Sequence, residues 1–351
     1  MTTLTGVSLT ATAQTILSGK KRRVRRRRLV IASLIALMTA IFCVSLMCGH
    51  TFYTPEEVWR VVLGENIPGA SFTVGTLRLP RAALALLVGL SFGFAGVAFQ
   101  TMLRNPLASP DIIGISSGAT AAAVFAIVAL SLGATAVSIF AVAAGLGVAL
   151  LVYLLSYKNG AASARLILIG IGIASMLNSV TSYLLTQASE WDLQEVMRWM
   201  TGSLNGTVWK TVLPVLGSQL VFVPLLLSQS KNLSMTQLGD DTAAALGVRV
   251  NRTRLIVTLA SVGLIAFAAA ASGPIAFVAF LSGPIAARIV GAGGSLFLPS
   301  ALMGALLVLT ADFSGQFLLG VRYPVGVITG ILGAPYLVWL IVRTNRRGGF
   351  L

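Results

Sequence analysis

The side chains that could carry out chemistry are few and scattered along this 351-residue chain. It has one histidine, His50, and two cysteines, Cys43 and Cys48, which lie five residues apart. That spacing does not place the two thiols on one face of a helix, so we expect neither a disulfide nor a metal pair. Without a cluster of histidines, cysteines and acids, a catalytic metal or a haem would have no ligand set. The sequence therefore predicts no catalytic residues, no metal site and no cofactor bound by this chain.

A single carboxylate, that of Asp312, lies within a long apolar segment. Ion-coupled carriers place acidic groups at such positions to hold a proton or a sodium ion. The same carboxylate could instead be hydrogen-bonded within a helix bundle, and the sequence leaves both interpretations open. A membrane enzyme would need paired carboxylates or a nucleophile beside a base, and the sequence shows neither. The sequence also lacks the Gly-x-x-x-x-Gly-Lys-Ser/Thr loop that binds ATP.

The polar segment 238–248, LGDDTAAALGV, has the pattern of a short helix. Asp240 is placed to cap its N-terminus, the alanines favour helix, and Gly247 is placed for a left-handed stop. A compact helix of this kind could fit a groove on a partner protein, or it could be only a capped surface helix.

These residues are carried by a chain that is 56% hydrophobic and only 10% charged, with a mean hydropathy of +0.90. Soluble domains carry about 25% charged residues, so the composition indicates an all-α protein that crosses the membrane many times. Apolar stretches of bilayer length predict about ten helices. Their spans are 29–49, 80–103, 114–131, 134–157, 164–188, 209–229, 253–271, 277–291, 296–319 and 325–343. Residues 189–203 predict a short amphipathic helix outside the membrane, and two Ser-Gly-Pro-Ile-Ala segments, ten residues apart, predict two helix breaks.

The formal net charge of +15 is concentrated in one place, because residues 20–28 carry eight of the 25 basic side chains. A basic run beside an apolar stretch predicts an anchor against anionic lipid, so we expect no nucleic-acid partner. With the N-terminus inside, most basic residues fall on the inner side, which predicts that both termini are cytoplasmic. The predicted organisation is a basic cytoplasmic tail (1–28), a transmembrane domain (29–345, with an inner loop at 230–252) and a second cytoplasmic tail (346–351).

Several segments, in this order, resemble one family: the permeases of type II ABC importers for iron–siderophores, haem and cobalamin. The resemblance covers residues from about 30 to 345. The matching segments are 77–81 (LRLPR), 96–100 (GVAFQ), 104–110 (RNPLASP), 114–118, 165–170, 238–248, 323–327 and 333–335. Residues 202–206 and the Gly-Asp-Asp form of the inner loop are most similar to the ferric-enterobactin branch.

The resemblance implies a ten-helix permease of an ATP-binding-cassette importer in a bacterial plasma membrane. It implies a second permease chain, identical or homologous, two ATPase subunits that hold ATP and Mg²⁺, and an extracytoplasmic siderophore-binding protein. The expected substrate is a ferric siderophore, of the catecholate enterobactin type. Haem or cobalamin import, or an ion-coupled secondary transporter, are the alternatives.

The resemblance also assigns site residues. Coupling to the ATPases falls on Gly239, Asp240, Asp241, Ala244, Leu246 and Gly247. Docking of the binding protein falls on Arg78 and Arg81, and a cytoplasmic gate on Asn105 and Leu107, with Ser163 as the one hydroxyl retained at a second gate. The chain departs from the family in having Gln316 where some members use a docking arginine, and Pro284-Ile285 in place of Pro-His. Arg322 replaces the usual acid before helix ten, and we expect it to serve in docking instead.

Overall fold

The computed structural model describes residues 4–156, 163–291 and 293–345. These residues form fourteen α-helices and no strand. In chain order they are α1 (Leu4–Met47), α2 (Pro55–Val62), α3 (Leu79–Met102), α4 (Ile115–Val128), α5 (Ala134–Ser156), α6 (Ser163–Thr186), α7 (Glu190–Met200), α8 (Trp209–Ser228), α9 (Ser230–Thr236), α10 (Asp240–Ala245), α11 (Val250–Ser272), α12 (Val278–Val290), α13 (Phe297–Phe317) and α14 (Val325–Asn345). A π-helical stretch, Ser71–Arg78, continues into α3, and a 3₁₀ turn, Pro110–Ile113, precedes α4.

The predicted all-α architecture with about ten membrane helices is confirmed. Within the described residues, eight helices are long and apolar enough to cross a membrane. The other two apolar helices, α4 and α12, are shorter, with 14 and 13 residues. The predicted outer helix is α7, whose N-cap Ser189 accepts a hydrogen bond from the backbone of Asp192. Gly202 ends that segment in the left-handed region, at φ +72°.

Helix α1 begins at Leu4 rather than at residue 29, so the residues predicted as a tail are helical from that point. Lysine and arginine are good helix formers, and two arginines of the basic run also have partners in the bundle. Arg26 donates to the carbonyls of Arg288 and Ile289 at the end of α12, and Arg27 donates to those of Gly293 and Ser295. Carbonyls at a helix C-terminus lack intrahelical donors, so these arginines satisfy them.

Helix α3 lies at the centre of the bundle and packs on α13, α11, α12 and α8. Its closest contacts are made through glycines. A Cβ at Gly93 would overlap the backbone of Ser300 and Ala301 in α13, and one at Gly96 would overlap that of Ala279 in α12. Small residues at these positions let helix backbones approach closely, as expected where lipid supplies no hydrophobic drive.

The two Ser-Gly-Pro-Ile-Ala segments have different structures, which corrects the prediction of two helix breaks. The first ends α11 at Gly273, at φ +71°. The second lies inside α12, where Pro284 continues the helix. Proline lacks the N–H that would bond the carbonyl four residues earlier, that of Phe280. The buried side chain of Gln100 supplies the missing donor, with Nε2 2.9 Å from the Phe280 oxygen.

Candidate functional site

Helix α10 lies in the inner loop and is attached to the bundle at its first residue. The sequence placed Asp240 as the N-cap, but the N-cap is Gly239, at φ +111°, and it makes no side-chain capping bond. The carboxylate of Asp240 instead forms two ion pairs, with Arg104 at the end of α3 and with Arg254 in α11, the latter at 2.8 Å. Sequence reasoning missed both arginines because they lie far away along the chain or in the next helix.

The other end of α10 closes as the sequence predicted, with Gly247 in the left-handed region at φ +86°. The N–H of Gly247 donates to the carbonyl of Ala244 (2.9 Å), and that of Val248 donates to Ala243 (3.0 Å). This pair of bonds is a Schellman motif. Val248 and Ala243 are buried, so they fix the helix against the bundle.

The side of α10 that faces away from the bundle is exposed. The exposed residues of this segment include Leu238, Asp241, Ala244 and Leu246. Leu238 is 66% exposed and Leu246 is 58% exposed, so an apolar side chain is open to contact at each end of the helix. The assignment of these residues to ATPase coupling stays a prediction. The predicted coupling residues Asp241, Ala244 and Leu246 are exposed and therefore accessible to a partner.

The predicted gate segment follows α3 directly. The Oδ1 atom of Asn105 accepts a hydrogen bond from the backbone N–H of Leu107 at 2.8 Å, which holds the segment in a tight turn. Leu107 packs beside an apolar cluster that includes Phe280 of α12 and Leu340 of α14. Ser163 begins α6, but its side chain lies outside the described residues, so the second gate stays a prediction.

Of the predicted docking residues, Arg78 is hydrogen-bonded to the end of α1. The carbonyls that accept from its guanidinium are those of Leu46, Met47 and Thr51, at 2.7–2.8 Å. The guanidinium also lies 5.2 Å from the centre of the Tyr53 ring. A hydrogen bond to Thr73 lowers the pKa of that tyrosine. Because carbonyls are uncharged, these hydrogen bonds leave the positive charge of Arg78 without a matching negative charge.

Arg81 has a different environment, since its charge is matched by Asp312. Its Nη2 atom lies 2.8 Å from Oδ1 of Asp312, and its Nε atom lies 3.0 Å from Oδ2. Its Nη1 donates to Asn205 at 2.6 Å, and Gln316 donates to the same aspartate at 2.7 Å. The side chains of Arg81 and Asp312 are only 19% and 7% exposed. Of the two interpretations of Asp312, the hydrogen-bonded one fits this geometry.

Arg322 is exposed, and its Nη2 lies 2.5 Å from Nε2 of His50. The three arginines therefore have three separate sets of partners. Arg78 and Arg81 contact different groups although the backbone is right-handed helical from Arg78 into α3. Docking through these residues stays a prediction, and Arg78 and Arg322 are the two whose charge no carboxylate matches among the described contacts.

Helix α6 is poorly covered by the rest of the chain. Only 17% of its most apolar stretch is buried, against 78% for α3 with its π-helical extension. Its outer half exposes Ser175, Asn178, Ser179 and Ser182, and this spacing places them on one face. Ser179 bonds back to the carbonyl of Ser175, but the amide of Asn178 would be costly in lipid. This face therefore requires water or another protein.

An outer cavity of about 580 Å³ lies between α7, the 203–211 segment and the outer end of α11. Its lining includes Trp191, Glu195, Arg198, Trp199 and Asn205. Within the described residues no group of three or more histidines, cysteines and acids could hold a metal ion. The long apolar helices and the uncovered polar face of α6 together define a protein that crosses the membrane many times.

The family follows from comparison with known proteins. The chain belongs to the FecCD transport family, whose model matches residues 4–343. It is 37% identical to the ferric enterobactin transport system permease protein FepG of Escherichia coli, over 92% of this chain and 98% of that protein. It is 36% identical to the achromobactin transport system permease protein CbrC of Dickeya dadantii, over 88% and 90%. A solved inward-facing structure of a metal-chelate type ABC transporter is similar with a TM-score of 0.81 and 28% identity, over 90% of this chain and 99% of that one.

Proposed function

We propose that this chain is the permease subunit of an ATP-driven importer that carries ferric siderophores of the catecholate, enterobactin type across a bacterial plasma membrane. The observation that supports the ATP-driven mechanism best is α10, a short helix held to the bundle by the buried Ala243 and flanked by the exposed Leu238 and Leu246. A short exposed helix between two exposed leucines at the predicted inner surface fits a groove on a cytoplasmic ATPase subunit. ATP and Mg²⁺ would be bound there and not by this chain.

The polar face of α6 supports a pathway shared with a second permease chain. Hydroxyl and amide groups on a membrane helix are stable where they line water or meet protein. A second copy or a homologue facing α6 would enclose a wet route between the two chains. The polar residues lie in the outer half of the helix, so this route would widen towards the outside, where the binding protein releases its ligand.

The outer cavity supports a catecholate chelate as substrate. A ferric catecholate presents aromatic rings and negative charge. Two tryptophans, Trp191 and Trp199, and the guanidinium of Arg198 line this cavity, and they suit rings and anions respectively. The carboxylate of Glu195 also lines the cavity and repels the negative charge of the chelate. The chelate would therefore bind weakly and move on through the pathway.

The experiment that tests the proposed function is uptake of iron-55 from a panel of chelates in cells with and without this chain. We expect loss of catecholate uptake on deletion of the chain. Uptake should stop on ATP depletion and persist after collapse of the proton gradient. Loss of haem or cobalamin uptake alone would reassign the substrate, and uptake that follows only the proton gradient would refute the ATP-driven mechanism.

Two variants extend this test to named residues. Asp241→Lys reverses an exposed charge on α10 and is expected to lower uptake, whereas Asp241→Asn, its matched control, should lower it less. Trp191→Ala should raise the KM for a catecholate chelate more than for a hydroxamate, which has no aromatic ring. Equal effects on both chelates would remove the cavity from the proposal.

A further inference from the structure

The residue that follows α3 has an unusual backbone conformation. Leu103 is the C-cap, and Arg104 lies in the left-handed region at φ +51°. The N–H of Arg104 bonds to the carbonyl of Thr101 (3.3 Å) and that of Asn105 to Gln100 (3.0 Å), which is a Schellman motif. Glycine is the usual residue at this position because a Cβ there costs about 1–2 kcal/mol. An arginine in this strained position suggests that its side chain has a role.

The side chain of Arg104 reaches α10. Its guanidinium pairs with one carboxylate oxygen of Asp240, and Arg254 binds the other oxygen at 2.8 Å. One carboxylate thus joins the residue after the C-cap of α3, the first turn of α10 and the second turn of α11. Arg254 is 14% exposed, whereas Arg104 and Asp240 are 41% and 42% exposed. The contact between α10 and α11 is covered, and the contact between α10 and α3 is open to water.

The predicted gate begins at the residue after Arg104. Asn105 and Leu107 belong to the same tight turn, so a change in the position of Arg104 displaces them directly. No other described ion pair connects α10 to the end of α3.

We propose that Arg104 is a positioning residue that transmits movement of α10 to the gate segment through its ion pair with Asp240. This proposal rests on the proposed function, in which an ATPase subunit moves α10. The carboxylate stays with Arg254 as α10 and α11 move together. The exposed pair with Arg104 then pulls on the end of α3 or releases it, according to where α10 lies.

The test uses variants that separate the backbone from the charge. Arg104→Gly removes the side chain and relieves the left-handed strain, so a side chain without a role predicts equal or higher thermal stability and normal function. Arg104→Lys keeps the strain and a cation that can pair with Asp240. Arg104→Asn, which also tolerates the left-handed region, repeats the glycine test with a residue that retains a Cβ.

The measurement is the rate of maleimide labelling at Leu107→Cys in the complete transporter, in a background without the two native cysteines. Rates are compared between the nucleotide-free state and the state trapped with ATP and vanadate. We expect a nucleotide-dependent change with Arg104, a change smaller by roughly fivefold or more in the glycine and asparagine variants, and recovery in the lysine variant. ATP hydrolysis should continue in all of them.

The outcomes separate this inference from the proposed function. If labelling with Arg104 in place does not respond to nucleotide, the proposed coupling to an ATPase fails, and the role of Arg104 fails with it. If it responds and the glycine and asparagine variants respond equally, only the role of Arg104 is refuted. Loss of the response in the lysine variant would also refute the role of Arg104. It would show that a cation at position 104 is not sufficient to transmit the movement.

Discussion

The ion pair between Arg81 and Asp312 allows a direct test of what the membrane carboxylate does. The change is Asp312→Asn, which keeps the shape of the side chain and removes its charge. Arg81 would then be left with Asn205 as its remaining strong acceptor, in a site where its side chain is only 19% exposed. Removing one partner of a buried pair costs about 3–5 kcal/mol, because the other charge is left unmatched.

The partial exposure of Arg81 places the expected cost at the lower end, about 3 kcal/mol. At 1.4 kcal/mol for each factor of ten, the ratio of folded to unfolded protein falls by roughly a hundredfold. The assay is denaturant unfolding of the purified protein in detergent, followed by tryptophan fluorescence. The matched control is Glu65→Gln, which breaks the exposed pair between Glu65 and Arg60, where both side chains are about half exposed and a cost below about 1 kcal/mol is expected.

The double variant Arg81→Gln/Asp312→Asn decides between structure and proton coupling. It removes both charges together, so most of the lost stability should return, and iron uptake with it. A proton-coupled carrier that uses Asp312 predicts the opposite, since no titratable group remains at position 312 to carry a proton. The structural reasoning is refuted if Asp312→Asn unfolds like the Glu65 control while both Asp312 variants lose uptake.

Three further predictions concern packing and docking. Gln100→Leu leaves the carbonyl opposite Pro284 without a donor and should destabilise the protein by about 1–3 kcal/mol, and adding Pro284→Ala, which restores a backbone N–H, should recover part of this in the same unfolding assay. Gly93→Ala should destabilise strongly because its Cβ overlaps the facing backbone, whereas Gly217→Ala, with open space at its Cβ, should be tolerated; thermal denaturation of the two variants compares them. Arg322→Glu should weaken binding of the siderophore-binding protein in a salt-dependent way, and unchanged affinity across a salt series would exclude its docking role.

The parts of the fold that were predicted from the sequence depend on local pattern. Apolar length predicted the ten membrane helices, and the left-handed glycine at position 247 predicted the end of α10. The unpredicted features depend on partners that are distant in sequence. The sequence predicted a basic tail at residues 1–28 and did not predict that α1 begins at Leu4. The hydrogen bonds of Arg26 and Arg27 near the end of α12 join residues more than 260 positions apart, so no local pattern indicates them.

The same limit applies at the candidate site. The sequence marked Asp312 as a lone acid within an apolar segment and assigned Arg81 to docking, but it did not join the two residues. No local pattern predicted which arginine, because the contact spans 231 residues. The pairs of Asp240 with Arg104 and Arg254 were missed for the same reason, and a capping role was assigned to Asp240 because only local geometry was visible.

The uncovered polar face of α6 has a consequence for how the protein is made. A newly inserted single copy would hold Asn178 and the neighbouring hydroxyls against lipid until a partner arrives. The lifetime of an unassembled copy therefore depends on the rate of assembly relative to the rate of proteolysis. Under the proposed assembly, cells that make this chain in excess of its partners should clear the surplus, and the steady level of the chain should follow the supply of those partners.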